Sequence, residues 1–232
     1  MKKTGIIGAM EEEVASLKAK MTVESIREIA GMEFCEGRCE NHPVVVVRSG
    51  IGKVNAAVCT KIIADIFHVD GIINTGVAGS LKNVINIGDI VLSEDTLQHD
   101  VDATGFGYGP GVIPRMETSV FKADEGLVAL AEKVCREVNP EIQVFRGRVV
   151  SGDQFISNRE IKERIVENFG GFCTEMEGAA IGQAAWLNKI PFLIIRAISD
   201  KADGSAEMDY SEFEHKAIEH SVALVTGMLR NM

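Results

Sequence analysis

Basic residues are scarce in this chain: 24 lysines and arginines stand against 34 aspartates and glutamates, a formal net charge of −10. A surface of that sign repels phosphate backbones and anionic bilayers, so neither nucleic acid nor a membrane is an expected partner. No apolar run approaches the roughly 20 residues of a spanning helix. The N-terminal "MKKTGIIGAMEEEV" carries two lysines but meets acids before a signal-peptide core could form, so a cytoplasmic protein is expected. Cysteines are few and odd in number: Cys35, Cys39, Cys59, Cys135 and Cys173. Scattered this way they suggest no disulfide framework and agree with a reducing compartment. Cys35, Cys39 and His42 are close enough to raise a zinc site, but a convincing fourth ligand is missing nearby and ordinary hairpin cysteines are the plainer reading. Aromatics make up only 6%, with a single tryptophan, Trp186, on a small-residue helix where it reads as core.

What the chain has is apolar, β-branched runs with helical segments between several of them. Its 232 residues and 46% hydrophobic content suit one α/β domain spanning 1–232. Strands are expected at "TGIIGAM", in a hairpin region over 23–49, and at "GIINTG", "GDIVLSEDTLQHD", "QVFRGRVVSGDQF", "GFCTEME" and "PFLIIRAISD". Helices are expected over 11–21, 54–67, 124–138, 158–169, 178–188 and 209–230. Continuous runs such as "VVVV" and "FLII" imply strands buried on both faces. The expected architecture is three-layer α/β/α: a central mixed, largely parallel sheet flanked by helices. Residues 103–116, "ATGFGYGPGVIPRM", hold too many Gly and Pro for regular structure.

Open α/β sheets bind ligands beyond the carboxyl ends of their strands. Here those ends read Ala9-Met10-Glu11 to Glu13, Ser49 to Gly52, Thr75 to Gly79, Ser151 to Asp153, Glu175 to Glu177, and Ser199-Asp200. Small residues alternate with acids, and Arg196 is nearly the only base. Neither "GIIGAM" nor "SGIGKVN" is a dinucleotide or P-loop motif. Carboxylates accept hydrogen bonds from sugar hydroxyls, so the list suits a neutral, hydroxyl-rich ligand. Taken singly, each glycine is an ordinary turn. Glu11 and Glu12 read as acids favoured in a helix first turn, as Glu13 would on its own.

The stretches "GIIGAMEEEV", "SGIGKVNAA", "INTGVAGS", "VSGDQFI", "TEMEGAAI" and "IRAISD" occur in an order that resembles the 5′-methylthioadenosine/S-adenosylhomocysteine nucleosidases of the nucleoside phosphorylase-like superfamily. The resemblance runs nearly end to end. It implies hydrolysis of methylthioadenosine and adenosylhomocysteine, with 5′-deoxyadenosine, to adenine and the 5′-thioribose, in methionine salvage and by-product recycling. It implies that Glu13 activates the attacking water and that Asp200 protonates N7 of the departing adenine. Glu177 would hold the ribose hydroxyls with Met176 beneath the sugar, Phe155 would stack on adenine, and the Ile156 backbone would read its edge. Arg196 would help hold the water and Ser199 would position Asp200. Ala9, Met10, Ile51, Phe106, Tyr108, Pro114 and Tyr210 would surround the 5′ substituent, with Phe106, Tyr108 and Pro114 donated by the partner in a homodimer. Ala78, Gly79 and Glu175 complete the expected site. Where the family usually reads "NTGSAGG", this chain has "NTGVAGS", so Val77 replaces a serine near the water.

The residues carry the chemistry independently. Cleaving an N-glycosidic bond needs a proton for the departing base and stabilisation of a cation-like sugar. An acid at the end of an apolar strand, Asp200, has its pKa raised by desolvation, while a second carboxylate stays ionised. This is the two-carboxylate logic of inverting glycoside hydrolysis, in which the resemblance gives Glu13 the second role. No metal or organic cofactor is expected. Three alternatives stand: a phosphorylase of the same fold, an aminofutalosine nucleosidase, and a non-catalytic nucleoside binder. His99 is expected to be a structural hydrogen-bonder, and His215 and His220 surface or packing residues.

Overall fold

A computed structural model describes residues 2–232 and places the apolar runs in one ten-stranded sheet. In chain order the elements are β1 (Thr4–Gly8), α1 (Glu11–Ala19), β2 (Thr22–Ile29), β3 (Met32–Cys39), β4 (His42–Arg48) and α2 (Lys53–Ile62). There follow β5 (Gly71–Ser80), β6 (Ile90–Gln98), β7 (Phe121–Lys122), α3 (Glu125–Val138), β8 (Val144–Ser151) and α4 (Arg159–Phe169). The chain closes with β9 (Cys173–Glu175), α5 (Gly178–Leu187), β10 (Phe192–Asp200) and α6 (Ala206–Arg230).

The strands that bear the site run parallel: β4 against β1, β1 against β5, and β5 against β10. β2 and β3 extend this sheet as antiparallel neighbours of β4. The other end curls. β10 pairs with both β5 and β6, β6 with β8, β8 with β9, and the three-residue β9 returns to β5. Five strands therefore close on themselves, and their ring gathers β5, β9 and β10 at one end.

Helices cover both faces. One core joins Val14 and Leu17 of α1, Val128 and Val134 of α3, and Leu224 and Met228 of α6. The other joins Ala56 and Cys59 of α2 to Ile181 and Ala185 of α5. Local signals set the helix ends: the Asp124 carboxylate accepts from the Leu127 N–H at 2.9 Å, and the Asn158 side-chain oxygen Oδ1 accepts from the Glu160 N–H at 2.8 Å. Both are N-caps that fill otherwise unmet donors.

The sequence reading and the structure differ at a few elements. β5 runs ten residues, four beyond "GIINTG", because its glycine-rich end still pairs with β10 and β9. The loop 103–116 contains one 3₁₀ turn, Thr104–Phe106, which closes on Gly107 at φ 83°. α2 runs into a π-helical turn, Ile63–Phe67. α6 begins at Ala206 rather than 209. Trp186 packs against Phe121, ring centroids 5.9 Å apart. His215 is exposed, whereas His220 is buried with Nδ1 2.9 Å from the Gly88 carbonyl. Cys35 and Cys39 are buried on β3, and the His42 ring lies 3.0 Å from Thr4 Oγ1.

Candidate active site

Three strand ends supply acids to one place. α1 starts at the end of β1, and its third residue is Glu13, which is 5% exposed. Its Oε2 accepts from the Ala9 N–H at 2.6 Å and the Met10 N–H at 3.0 Å, and Oε1 accepts from the Val77 N–H at 3.2 Å. The capping reading of this acid is thus correct, and the cap faces a cavity rather than solvent. Burial pushes the Glu13 pKa up, opposed by the charge of Arg196 and by the backbone donors.

Asp200 ends β10 and is 2% exposed. The Ser199 hydroxyl donates to Oδ2 at 2.9 Å and the Ala202 N–H to Oδ1 at 2.7 Å. Burial raises the Asp200 pKa, these two donors oppose the rise, and Asp209 and Asp203 add to it. Glu177, at the start of α5, accepts from the Gly52 N–H at 2.8 Å, and burial with the neighbouring Glu175 charge lifts it to about 8.

Two glycines of β5 make room for the first pair. A β-carbon on Gly76 would lie 2.5 Å from Glu13 Oε1, and one on Gly79 would lie 2.7 Å from Asp200 Oδ1. At about 3.3 Å per residue, β5 spaces these two positions by roughly 10 Å. Between them opens a cavity of about 200 Å³.

Most of the expected residues meet there. Ala9, Met10, Glu13, Ile51, Ala78, Gly79, Phe155, Glu175, Met176, Glu177, Ser199, Asp200 and Tyr210 line the cavity. Ile156 lies in a small recess that shares Gly79, Phe155, Met176 and Asp200 with it. The Phe155 and Tyr210 rings meet edge to face at 6.1 Å, and the Tyr210 hydroxyl donates to Glu214 at 2.6 Å.

Other expected residues lie apart. Phe106 is 87% exposed, Pro114 is exposed, and Tyr108 is at the surface; none of the three lines the cavity of its own chain. Arg196 is buried but also does not line it. Its guanidinium donates to Glu175 Oε2, to Asn74 Oδ1 at 2.5 Å and to the Ile195 carbonyl at 2.9 Å. Burial disfavours charge on Arg196, but Glu175, Glu177 and Glu13 outweigh it and hold its pKa above the usual value. It therefore reaches Glu13 and Glu177 by its field rather than as a free donor. Glu175 is likewise committed: beyond Arg196 it accepts from the Ser151 hydroxyl and from the Glu177 and Gly178 N–H groups.

Sequence reasoning missed Thr174 as a lining residue, Gly52 and Ser151 as partners of the acids, and Asn74 as a partner of Arg196, while Val77, expected near the water, does line the cavity. All five stand at or near the named strand ends, which was the available signal. Val77 keeps a part through its N–H, while its side chain packs on the core. The His99 ring sits against Gly152, outside this cavity, and its Nε2 has no hydrogen-bond partner among the described residues.

Acids converge here, and among the described residues no lysine, arginine or histidine lines the cavity. Residues 3–230 fit the family model described as the phosphorylase superfamily, and the chain belongs to it. Within that superfamily the chain falls among the 5′-methylthioadenosine/S-adenosylhomocysteine nucleosidases. It is 44% identical over 229 residues to the nucleosidase of that name from Staphylococcus carnosus, covering 98% of this chain and 99% of the relative. It is similar to the crystal structure of the Neisseria meningitidis nucleosidase in complex with methylthio-immucillin-A, at TM-score 0.95 and 36% identity over 100% of both chains. It is also similar to the native structure of Helicobacter pylori futalosine hydrolase, at TM-score 0.94 and 33% identity over 100% of this chain and 98% of that one.

Proposed function

We infer that the protein hydrolyses the N-glycosidic bond of 5′-thio-substituted adenine nucleosides, methylthioadenosine and S-adenosylhomocysteine, and also 5′-deoxyadenosine. The products are adenine and the free 5′-substituted ribose, which places the reaction in methionine salvage. The observation that carries this is the pair Glu13 and Asp200, two buried carboxylates set over two glycines of one strand on a shared cavity.

In this reading Asp200 is the general acid. Burial favours its protonated form, and Ser199 and Ala202 hold its two oxygens so that the proton is directed into the cavity toward N7. Protonation turns adenine from a poor leaving group into a neutral one. As the bond lengthens, the sugar gains positive charge beside Glu177 and Glu13. Glu13 is the base: three backbone N–H groups and the charge of Arg196 oppose the rise that burial gives its pKa, and its ionised form takes a proton from the water that adds to C1′. Glu177 binds the ribose hydroxyls, Met176 lies under the sugar, Phe155 stacks on adenine, and Ile156 reads its edge. Met10, Ile51 and Tyr210 surround the 5′ substituent, completed by Phe106, Tyr108 and Pro114 of a second copy in a homodimer. The five free, buried cysteines fit a cytoplasmic setting.

Phosphorolysis fits less well. Arg196 directs four of its five N–H donors to Glu175, Asn74 and the Ile195 carbonyl, and an anion entering this cavity would meet four acids and, among the described residues, no cation. The futalosine hydrolase likeness supports a second reading, cleavage of an aminofutalosine-type nucleoside, since the same carboxylates would serve it and only the 5′ end would differ. Adenine release from methylthioadenosine, followed with enzyme far below substrate, tests the proposal: many turnovers support it, and stoichiometric binding without release rejects it.

A further inference from the structure

A second polar cluster lies behind Glu177, and the site as described makes no use of it. Gly52, at φ 97°, is the N-cap of α2, and the N–H groups of Gly52 and Lys53 point at carboxylates. The Gly52 N–H donates to Glu177 Oε1 at 2.8 Å, and the Lys53 N–H donates to Asp153 Oδ1 at 2.9 Å. The Lys53 side chain turns the other way. Its Nζ donates to Asp100 Oδ1 at 2.6 Å and to Gln98 Oε1 at 2.9 Å, and the Asp153 N–H donates to Asp100 Oδ2 at 3.0 Å. The Lys53 and Asp100 side chains are only 18% and 15% exposed.

These bonds tie the start of α2 to the end of β6 and to the loop after β8. Residues 49–52 form a turn with two positive-φ glycines, Gly50 and Gly52. Its first half is held to the end of β1, where the Ser49 and Gly50 N–H groups donate to the Gly8 and Ala9 carbonyls at 2.8 and 3.1 Å, and Asn55 donates to the Ile51 carbonyl at 2.7 Å; the Lys53, Asp100 and Asp153 bonds hold the Gly52 end. Glu177 is faced by Glu175, Arg196 and Glu13 as well, but among the described residues the Gly52 N–H is the one hydrogen-bond donor to its side-chain oxygens. An unpinned α2 N-terminus would leave Glu177 Oε1 without that donor and free to turn.

We propose that Lys53, Asp100 and Asp153 form a clamp that positions Glu177, by holding the Gly52 N–H and the positive end of α2 against its carboxylate. The clamp touches no substrate; Lys53 and Asp100 are positioning residues for the group that holds the ribose hydroxyls. The proposal rests on the assignment of Glu177 to those hydroxyls.

Lys53→Met removes the clamp's cation, and Asp100→Asn keeps its shape while removing the charge. A loss of roughly 10-fold in affinity, about 1.4 kcal/mol, is expected. For methylthioadenosine the KM rises by that factor in both variants, while kcat changes by about twofold or less. The inhibition constant of 2′,3′-dideoxy-5′-methylthioadenosine, which lacks the hydroxyls, stays at the wild-type value. An equal loss for both ligands, or no loss for either, overturns the clamp. Should wild type bind methylthioadenosine without cleaving it, the hydrolytic reading fails, yet the comparison of the two ligands by calorimetry still decides the clamp.

Discussion

Gly76 lies against Glu13 so closely that a β-carbon on the glycine would sit 2.5 Å from the carboxylate oxygen Oε1. Three residues along the same strand, Gly79 stands in the same relation to Asp200, at 2.7 Å. The glycines of "NTGVAGS" therefore serve the acids rather than a turn, and each can be used to disturb one acid alone. Gly76→Ala displaces Glu13, the proposed water-activating carboxylate, and Gly79→Ala displaces Asp200, the proposed proton donor. Since a shift of about 1 Å can cost 100-fold, both should lose tenfold or more in kcat for methylthioadenosine. A methylthioriboside of p-nitrophenol separates them, because that leaving group departs without a proton. Gly79→Ala should keep near-wild-type turnover of it and Gly76→Ala should not; equal losses in both would contradict the division of roles.

Asp200→Asn should remove turnover by about 100-fold or more, the loss expected for a general acid, while the fold is kept. Retention of more than a tenth of the rate contradicts the assignment. The same substitution carries a stability sign. Burial raises the Asp200 pKa in the folded state, so the fold favours the neutral form. The stability this gives is fully present below the unfolded pKa and is lost as pH rises through the folded one. Asp200→Asn should then melt no lower than wild type at neutral pH, with the advantage vanishing in acid. Thermal melts across pH check this, and a variant much less stable at pH 7.5 would mean that the carboxylate supports the fold.

The strand ends that build the cavity were legible because each joins an apolar run to small residues and acids within a few positions, as in "IRAISD". What the sequence left open is non-local. The commitment of Arg196 to Glu175 and Asn74 depends on the register that sets β10 beside β5 and β9 beside both β5 and β8. The closed ring of strands depends on the three-residue β9, too short to show a period. Glu13 shows the limit of weighing one role against another. It caps α1 and faces the cavity at once, because the helix begins where the strand ends.

Phe106 and Tyr108 stand on a glycine-rich loop, exposed by 87% and 37% in the single chain. Aromatic groups of this kind are enriched in interface cores. If a second copy covers them and borrows them for its 5′ pocket, Phe106→Ala combined with Tyr108→Ala weakens both self-association and methylthioadenosine binding. Sedimentation and substrate titration on one sample check it: a stable dimer with an unchanged KM would remove both roles from the loop.

The origin of the oxygen on the sugar tests the central claim most directly. Methylthioadenosine is turned over in ¹⁸O-water containing millimolar phosphate, and the sugar product is weighed by mass spectrometry. Activation of water by Glu13, in a cavity without a cation, requires one adenine released per free methylthioribose, with ¹⁸O at C1 and a rate that phosphate does not raise. A sugar 1-phosphate as the main product, or a rate that grows with phosphate, would contradict the account.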